Sequence, residues 1–283
     1  MYTLRRMHPL SAFLFFAAVL VLTVLSYDPC RQAVSLVLSL AMALENGRGK
    51  AWRFFCRTAL PFALLIALMN PLFNHRGATV LFYFAKNPFT LEAVLFGGAS
   101  GMMMLSAAMW FYSYGKIVTS EKFLYLFSPL APTAAQMLDT SLRLIPKLAE
   151  QAQEVWRVQK QFAPKEKRLV LCKKVMTALL TWVLEDAVDT ADSMKARGYG
   201  SGKRTSISHY TFCFSDGLLC AGSVLLLAGG VALTAGGFVG YEFFPRPVRQ
   251  GGPVMAGLMA GYAVTVLAVL VGMVTEDVRK RTL

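Results

Sequence analysis

Apolar residues in this chain fall into long uninterrupted runs, not into the alternating or three-and-four spacing of a soluble core. Leu10 to Tyr27 carries no charge, and Gln32 to Leu44, bounded by Arg31 and Glu45, is placed to pair with it through the turn at Asp28-Pro29. Thr58 to Asn74 follows, with Pro61 near its start, where a missing backbone donor is least costly. Ala93 to Gly115, Gly217 to Tyr241 and Gln250 to Thr275 complete the set. A bilayer core of about 30 Å takes roughly 20 helical residues, so the pattern predicts an all-α polytopic membrane protein with about six transmembrane helices.

Arg5 and Arg6 ahead of the first run resemble the start of a signal peptide, but Tyr27-Asp28-Pro29-Cys30 is not a small-residue cleavage site and further runs follow. The run is therefore expected to stay as a span. Gly229, Gly230, Gly236, Gly237, Gly240, Gly257 and Gly261 suit close helix packing or bending within the last two runs.

One long stretch breaks the apolar pattern, Lys116 to His209, too long for a simple loop and too polar to span. It predicts two helical pieces, Ala134 to Phe162 and Glu166 to Arg197, separated by Ala163-Pro164-Lys165. The second holds a strongly apolar stretch of ten residues, Val175 to Leu184, then Glu185, Asp186, Asp189 and Asp192, and ends on Lys195 and Arg197 before Gly198 and Gly200. Ten apolar residues are too few to cross a bilayer. A helix greasy at one end and charged at the other can lie beneath a membrane domain and present its tip to a partner. Basic residues followed by Gly are also an ordinary helix terminus, so the pair Arg197-Gly198 does not by itself mark a site. The order predicts three segments: 1–115 with about four spans, 116–209, and 210–283 with about two.

Composition agrees with a membrane location: 55% of the 283 residues are hydrophobic and the mean hydropathy is +0.49. Lys and Arg accumulate on the cytoplasmic side of span ends. With both termini inside, Arg5, Arg6, Arg48, Lys50, Arg53, Arg57, Arg279, Lys280, Arg281 and the whole of 116–209 are cytoplasmic. Of the 29 basic residues only Arg31, Arg76, Lys86, Arg246 and Arg249 fall outside. The net charge of +13 follows from that topology and from anionic lipid headgroups, not from nucleic acid, since no aromatic residues interleave with the basic ones for base stacking.

Cys30, Cys56, Cys172, Cys213 and Cys220 lack metal-site spacing and are odd in number, which predicts packing residues. His8, His75 and His209 lie in three separate segments and read as interfacial or loop residues. Trp156 and Trp182 could contact a partner subunit or simply pack, and the helical spacing of the apolar residues favours packing. Gly200-Ser201-Gly202-Lys203 lacks the spacing of a phosphate-binding loop, and Arg204 stands where its hydroxyl residue belongs. No cofactor or metal is expected, and the chain is not expected to be an enzyme.

His8-Pro9, Tyr27-Asp28-Pro29, Asn70-Pro71-Leu72-Phe73, Ser141-Leu142-Arg143-Leu144-Ile145-Pro146, Glu150-Gln151-Ala152 and above all Ser193-Met194-Lys195-Ala196-Arg197-Gly198-Tyr199-Gly200 carry a resemblance over nearly the whole chain. It resembles the transmembrane T component of energy-coupling factor transporters, vitamin and metal-ion importers powered by ATP-binding-cassette ATPases. That family has two long cytoplasmic coupling helices, each ending in an Ala-Arg-Gly motif whose Arg seats in a groove of one ATPase subunit. The second motif is intact here as Ala196, Arg197 and Gly198. The first aligns with Gln161-Phe162-Ala163, so its Arg and Gly are missing, and Arg157, Gln159, Lys160 and Phe162 are the residues left to replace it.

The resemblance implies a non-catalytic subunit in a bacterial or archaeal cell membrane. Its partners are two ATPase subunits and a separate substrate-binding membrane subunit, the S component, besides the bilayer. ATP-driven approach of the ATPases is converted through the coupling helices into reorientation of the S component. Two alternatives stand beside it. One is the permease of a conventional ATP-binding-cassette importer, which uses one short coupling helix. The other is an intramembrane prenyltransferase, suggested by the acidic cluster at Glu185, Asp186, Asp189 and Asp192. That cluster reads as a solvated helix face, Asp192 supporting Lys195 within the helix.

Overall fold

The computed structural model describes residues 7–25, 27–74, 77–84, 87–162, 167–202, 210, 212–237, 240–243, 248–250 and 252–281. Arg5, Arg6, His75, Arg76, Lys86, Ala163, Pro164, Lys165, Glu166, Lys203, Arg204, His209 and Arg246 lie outside the described residues. The chain divides into two units, Met1–Phe123 with Tyr210–Leu283, and Leu124–His209.

The first unit contains α1 (Pro9–Leu25), α2 (Pro29–Phe54), a π-helical turn (Phe55–Ala59), α3 (Leu60–Phe73), α4 (Leu91–Ile117), α8 (Phe214–Ala235) and α9 (Gly252–Arg281). Among the described residues four helical stretches are long and apolar enough to cross a membrane: Gly49–Phe73, Leu91–Ile117, Phe214–Ala235 and Gly252–Gly272. Pro9–Leu25 is apolar but shorter. Among the described residues the regular structure is helical apart from two short antiparallel hairpins between helices, β1 (Val80–Phe84) with β2 (Asn87–Thr90) and β3 (Gly240–Glu242) with β4 (Val248–Gln250), which the apolar pattern does not predict.

Several helix limits differ from those of the apolar runs. The chain stays helical past Leu44, because Glu45 and Lys50 end the apolar run without breaking the backbone, and the axis bends where Gly47 leaves helical geometry. Helix resumes at Gly49, well before Thr58. The π-helical turn stops two residues short of Pro61, whose missing N–H deprives the carbonyl of Arg57 of its α-helical donor. α8 ends at Ala235 instead of Tyr241, since Gly237 turns left-handed at φ 72°. α4 and α9 extend beyond their apolar runs.

α1 sits at the centre of this unit, burying Phe15, Phe16, Val19 and Leu22 against Met42 of α2, Trp110 of α4 and Val266 of α9. Edge-on aromatic contacts join Phe15, Phe16 and Trp110 at 5.4–6.5 Å between centroids. α3 packs along α4 through small residues. A Cβ built on Gly97 would lie 2.5 Å from the Ala67 carbonyl oxygen, and one on Gly101 2.8 Å from that of Ala63, so the two backbones are nearly in contact.

Polar side chains inside the unit are joined across helices. Asp28 caps α2 by accepting from the Cys30 N–H at 3.1 Å, with Pro29 at the first helical position, which is the physical content of Tyr27-Asp28-Pro29. Arg31 is no solvent-facing loop charge: it is 5% exposed and donates through Nη2 to the Leu22 carbonyl. Gln32 Nε2 donates to the Thr23 carbonyl at 2.7 Å, and Ser106 Oγ of α4 donates to Gln32 Oε1 at 3.3 Å. At the far end of α1, Asp216 accepts from the His8 N–H and from Ser11 Oγ, tying the starts of α1 and α8.

Ser35 is the junction of this network, with Thr23 Oγ1 and Tyr262 OH each at 3.0 Å and the Trp110 indole N–H donating at 3.1 Å. Ser35→Ala strands two amphipathic rings in an apolar surrounding and is expected to cost about 1–2 kcal/mol, above the usual value for an interhelical bond in a membrane. Thermal unfolding in detergent checks this against Ser39→Ala, whose hydroxyl, among the described residues, bonds only to Leu36 of its own helix; equal losses contradict it.

Candidate docking site on the paired polar helices

The second unit begins within α5 (Ser120–Phe127) and consists mainly of α6 (Pro132–Phe162) and α7 (Arg168–Ala196), close to the two pieces expected from sequence. Pro146 lies inside α6 without ending it. Three contacts fix their register: Tyr199 OH donates to Gln136 Oε1 at 3.0 Å, Lys147 Nζ pairs with Asp186 Oδ1 at 2.6 Å, and Trp156 shares a groove with Val175. As the α6 partner moves forward along the chain its α7 partner moves back, so the helices run antiparallel.

Lys147 also lies over the Trp182 ring, 5.0 Å from its centroid, so this tryptophan packs beneath a cation. Side-chain exposures of 53% and 28% for Lys147 and Asp186 leave the pair well screened. Lys147→Ala is expected to cost no more than about 1 kcal/mol, a loss that shrinks at high salt. Unfolding of the full chain at two salt concentrations measures it.

The end of α7 is built around Arg197. This residue is the C-cap, the Tyr199 N–H returns to the Met194 carbonyl at 3.0 Å, and the Gly198 N–H returns to Lys195 at 2.9 Å. This is the Schellman arrangement, and it requires the left-handed conformation that Gly198 adopts at φ 84°. Ser201 Oγ closes the turn on the Gly198 carbonyl at 2.7 Å, and Tyr199 ties it to α6. Ala196, Arg197 and Gly198 are exposed, and among the described residues the Arg197 side chain has no ion pair. A guanidinium is thus held out on a fixed backbone, with its two-pronged donor edge available.

The residues proposed for the first motif lie at the C-terminus of α6, hence at the opposite end of the pair. With 29 residues in α7, the two ends stand roughly 40 Å apart. Arg157 and Lys160 are exposed and line, with Trp156, a groove of about 710 Å³; Phe162 is 83% exposed, and Gln159 is partly covered. The structure brings Arg157 and Lys160 together and leaves Phe162 as an apolar tip.

One feature of this surface escapes a reading of the sequence alone. Met176, Leu180, Leu184 and Val188 are 58–68% exposed and recur every four residues, forming an uncovered ridge along α7. Their spacing carries the signal, but three of the four lie inside Val175 to Leu184, where other apolar residues mask it, and Val188 stands beyond among acidic residues. The acidic residues between do not form a metal site: Asp186 is held by Lys147 and Asp192 lies 3.9 Å from Lys195 on an exposed face. Among the described residues no three His, Cys, Asp or Glu side chains converge on a point. Of the cysteines expected to pack, Cys30, Cys56 and Cys172 are exposed, while Cys213 and Cys220 are half-buried.

No protein-family model matches the chain, and no curated protein matches it significantly.

Proposed function

We propose that this chain is the energy-coupling membrane subunit of an importer of the energy-coupling factor type, spanning the membrane about six times with both termini in the cytoplasm. The observation that carries the proposal is the end of α7, where Ala196-Arg197-Gly198 forms a capped, tethered turn that presents an exposed guanidinium. A mere helix stop needs the Gly198 cap but not a second tether through Tyr199.

In this reading α6 and α7 form a stiff bar beneath the membrane, and Arg197 seats in an acidic groove of one ATPase subunit. The second subunit meets the opposite end, where Arg157, Lys160 and Phe162 substitute for the missing first Ala-Arg-Gly, so the two attachments are unequal. In this reading the uncovered α7 ridge of Met176, Leu180, Leu184 and Val188 is the surface that a separate substrate-binding membrane subunit covers. ATP-driven approach of the ATPases tilts the bar and reorients that subunit, bringing in a vitamin or metal ion. This chain contributes no catalytic group.

Affinity purification of the full chain from membranes tests the proposal by what comes with it. Two ATP-binding-cassette ATPase subunits and a small membrane subunit are expected. A soluble substrate-binding protein in place of the small membrane subunit assigns the chain to a conventional importer instead.

A further inference from the structure

The corner where the helix Gly49–Phe73 starts and α4 ends gathers positive charge. Along this pair Gly97 faces Ala67 and Gly101 faces Ala63, so the two helices run antiparallel. Phe54 stacks on Tyr112 with ring centroids 5.1 Å apart. Lys50 precedes Phe54 by four residues and Lys116 follows Tyr112 by four, so antiparallel pairing carries both lysine backbones about 6 Å past the stack, to the same side. Lys116 Nζ lies over the Tyr112 ring, 5.8 Å from its centroid. Lys50, Arg53 and Arg57 follow one another at spacings of three and four, which puts them on one helix face, and all four cations are exposed. Among the described residues none of the four has an ion pair. No acidic residue occurs from Asn46 to Leu91 or from Ala93 to Ser120, and the flanking Glu45 and Glu121 are themselves exposed.

Depth selects the counter-ion. Both helices are long and apolar enough to cross a membrane, and Lys50, Arg53 and Arg57 occupy the first turns of one while Lys116 stands at the end of the other. Leu60–Phe73 carries no charge, so hydrocarbon begins just beyond Arg57 and the four cations stand in the headgroup layer. Trp52, 52% exposed and stacked on Phe55 at 5.6 Å, is the kind of amphipathic ring that anchors a helix at this level. Phosphate is the anion held at that depth by every phospholipid, and a zwitterionic headgroup brings a cation of its own to compete with the protein's. We propose that Lys50, Arg53, Arg57 and Lys116 form a binding site for the headgroup of an anionic phospholipid. The inference needs only that these two helices cross a membrane and does not rest on the transport reading.

The test compares headgroups and charges. The full chain, purified in detergent, is titrated with phosphatidylglycerol or phosphatidylcholine, and bound lipid is counted by native mass spectrometry. Wild type is expected to bind phosphatidylglycerol in preference to phosphatidylcholine. Lys50→Gln with Arg53→Gln and Lys116→Gln is expected to weaken phosphatidylglycerol binding on the order of 100-fold at low salt, and by less as salt rises. If that triple variant does not fold, Lys50→Gln alone is expected to weaken binding several-fold. Lys167→Gln with Arg168→Gln and Lys173→Gln removes the same charge from exposed positions at the start of α7 and is expected to leave phosphatidylglycerol binding unchanged. Equal affinity for the two lipids, binding undiminished by loss of the membrane-side cations, or an equal loss in the α7 control overturns the proposal. So does displacement of phosphatidylglycerol by inorganic phosphate, which makes the corner a site for a free anion.

Discussion

Arg197→Glu is expected to release the ATPase from the α7 end of the bar. If the guanidinium is desolvated against a carboxylate in the complex, its removal costs roughly 2–5 kcal/mol of docking energy, a loss of about 30-fold to several-thousand-fold in affinity. The reversed charge adds repulsion. Because Arg197 is exposed and has no ion pair among the described residues, the substitution leaves the folded chain intact, and the variant is expected to insert and melt as wild type does. Arg197→Lys separates charge from geometry: it keeps the positive charge but loses the planar fork, and partial docking is expected. Gly198→Val acts differently, since a β-branched residue at φ 84° breaks the Schellman turn at roughly 1–2 kcal/mol and misdirects the Arg without touching its charge. Binding of the purified ATPase to the reconstituted chain measures all three. Unchanged affinity for Arg197→Glu reduces the motif to a helix cap.

The second large effect concerns the membrane unit. Gly97→Leu or Gly101→Leu sets a side chain against backbone carbonyls of Ala67 or Ala63, which cannot rotate away, so α3 has to separate from α4. Overpacking in a close-fitted interface costs roughly 1–3 kcal/mol or more, and both substitutions are expected to reduce the yield of monodisperse protein severely. Gly98 provides the control: nothing lies within 4 Å of a Cβ built there, and Gly98→Ala is expected to be neutral or to stabilise by up to about 1 kcal/mol through helix propensity. Thermal unfolding in detergent ranks the three. Gly101→Leu melting with Gly98→Ala contradicts the close approach of the two helices.

The apolar runs made the helices legible but not their ends. Hydropathy marks where lipid stops, whereas helix ends follow backbone chemistry, so charged Glu45 and Lys50 let the helix continue while Gly237 ended it inside an apolar run. The glycines read for close packing lay in the last two runs, yet a glycine's worth depends on what faces it: Gly229 and Gly257 meet nothing within 4 Å, while Gly97, outside those runs, meets a carbonyl. Arg31 illustrates the opposite difficulty, because a charge next to an apolar run looks like a loop residue until the Leu22 carbonyl is seen to receive it. At the candidate site, Arg197-Gly198 could be named from sequence alone. The tether from Tyr199 to Gln136 spans 63 positions and depends on antiparallel pairing of α6 with α7, which no local pattern contains.

The most direct test places a photocrosslinking amino acid at position 195 of the full chain, where the lysine side chain is 77% exposed and two residues from the guanidinium, so the tether through Tyr199 stays in place. Irradiation of native membranes is expected to join this position to an ATP-binding-cassette ATPase, and the product is expected to vanish when Arg197→Glu is introduced in the same chain. Crosslinks confined to lipid or to the chain itself, in membranes where the ATPase is present, contradict the assignment of α7 as the element that carries ATP-driven motion.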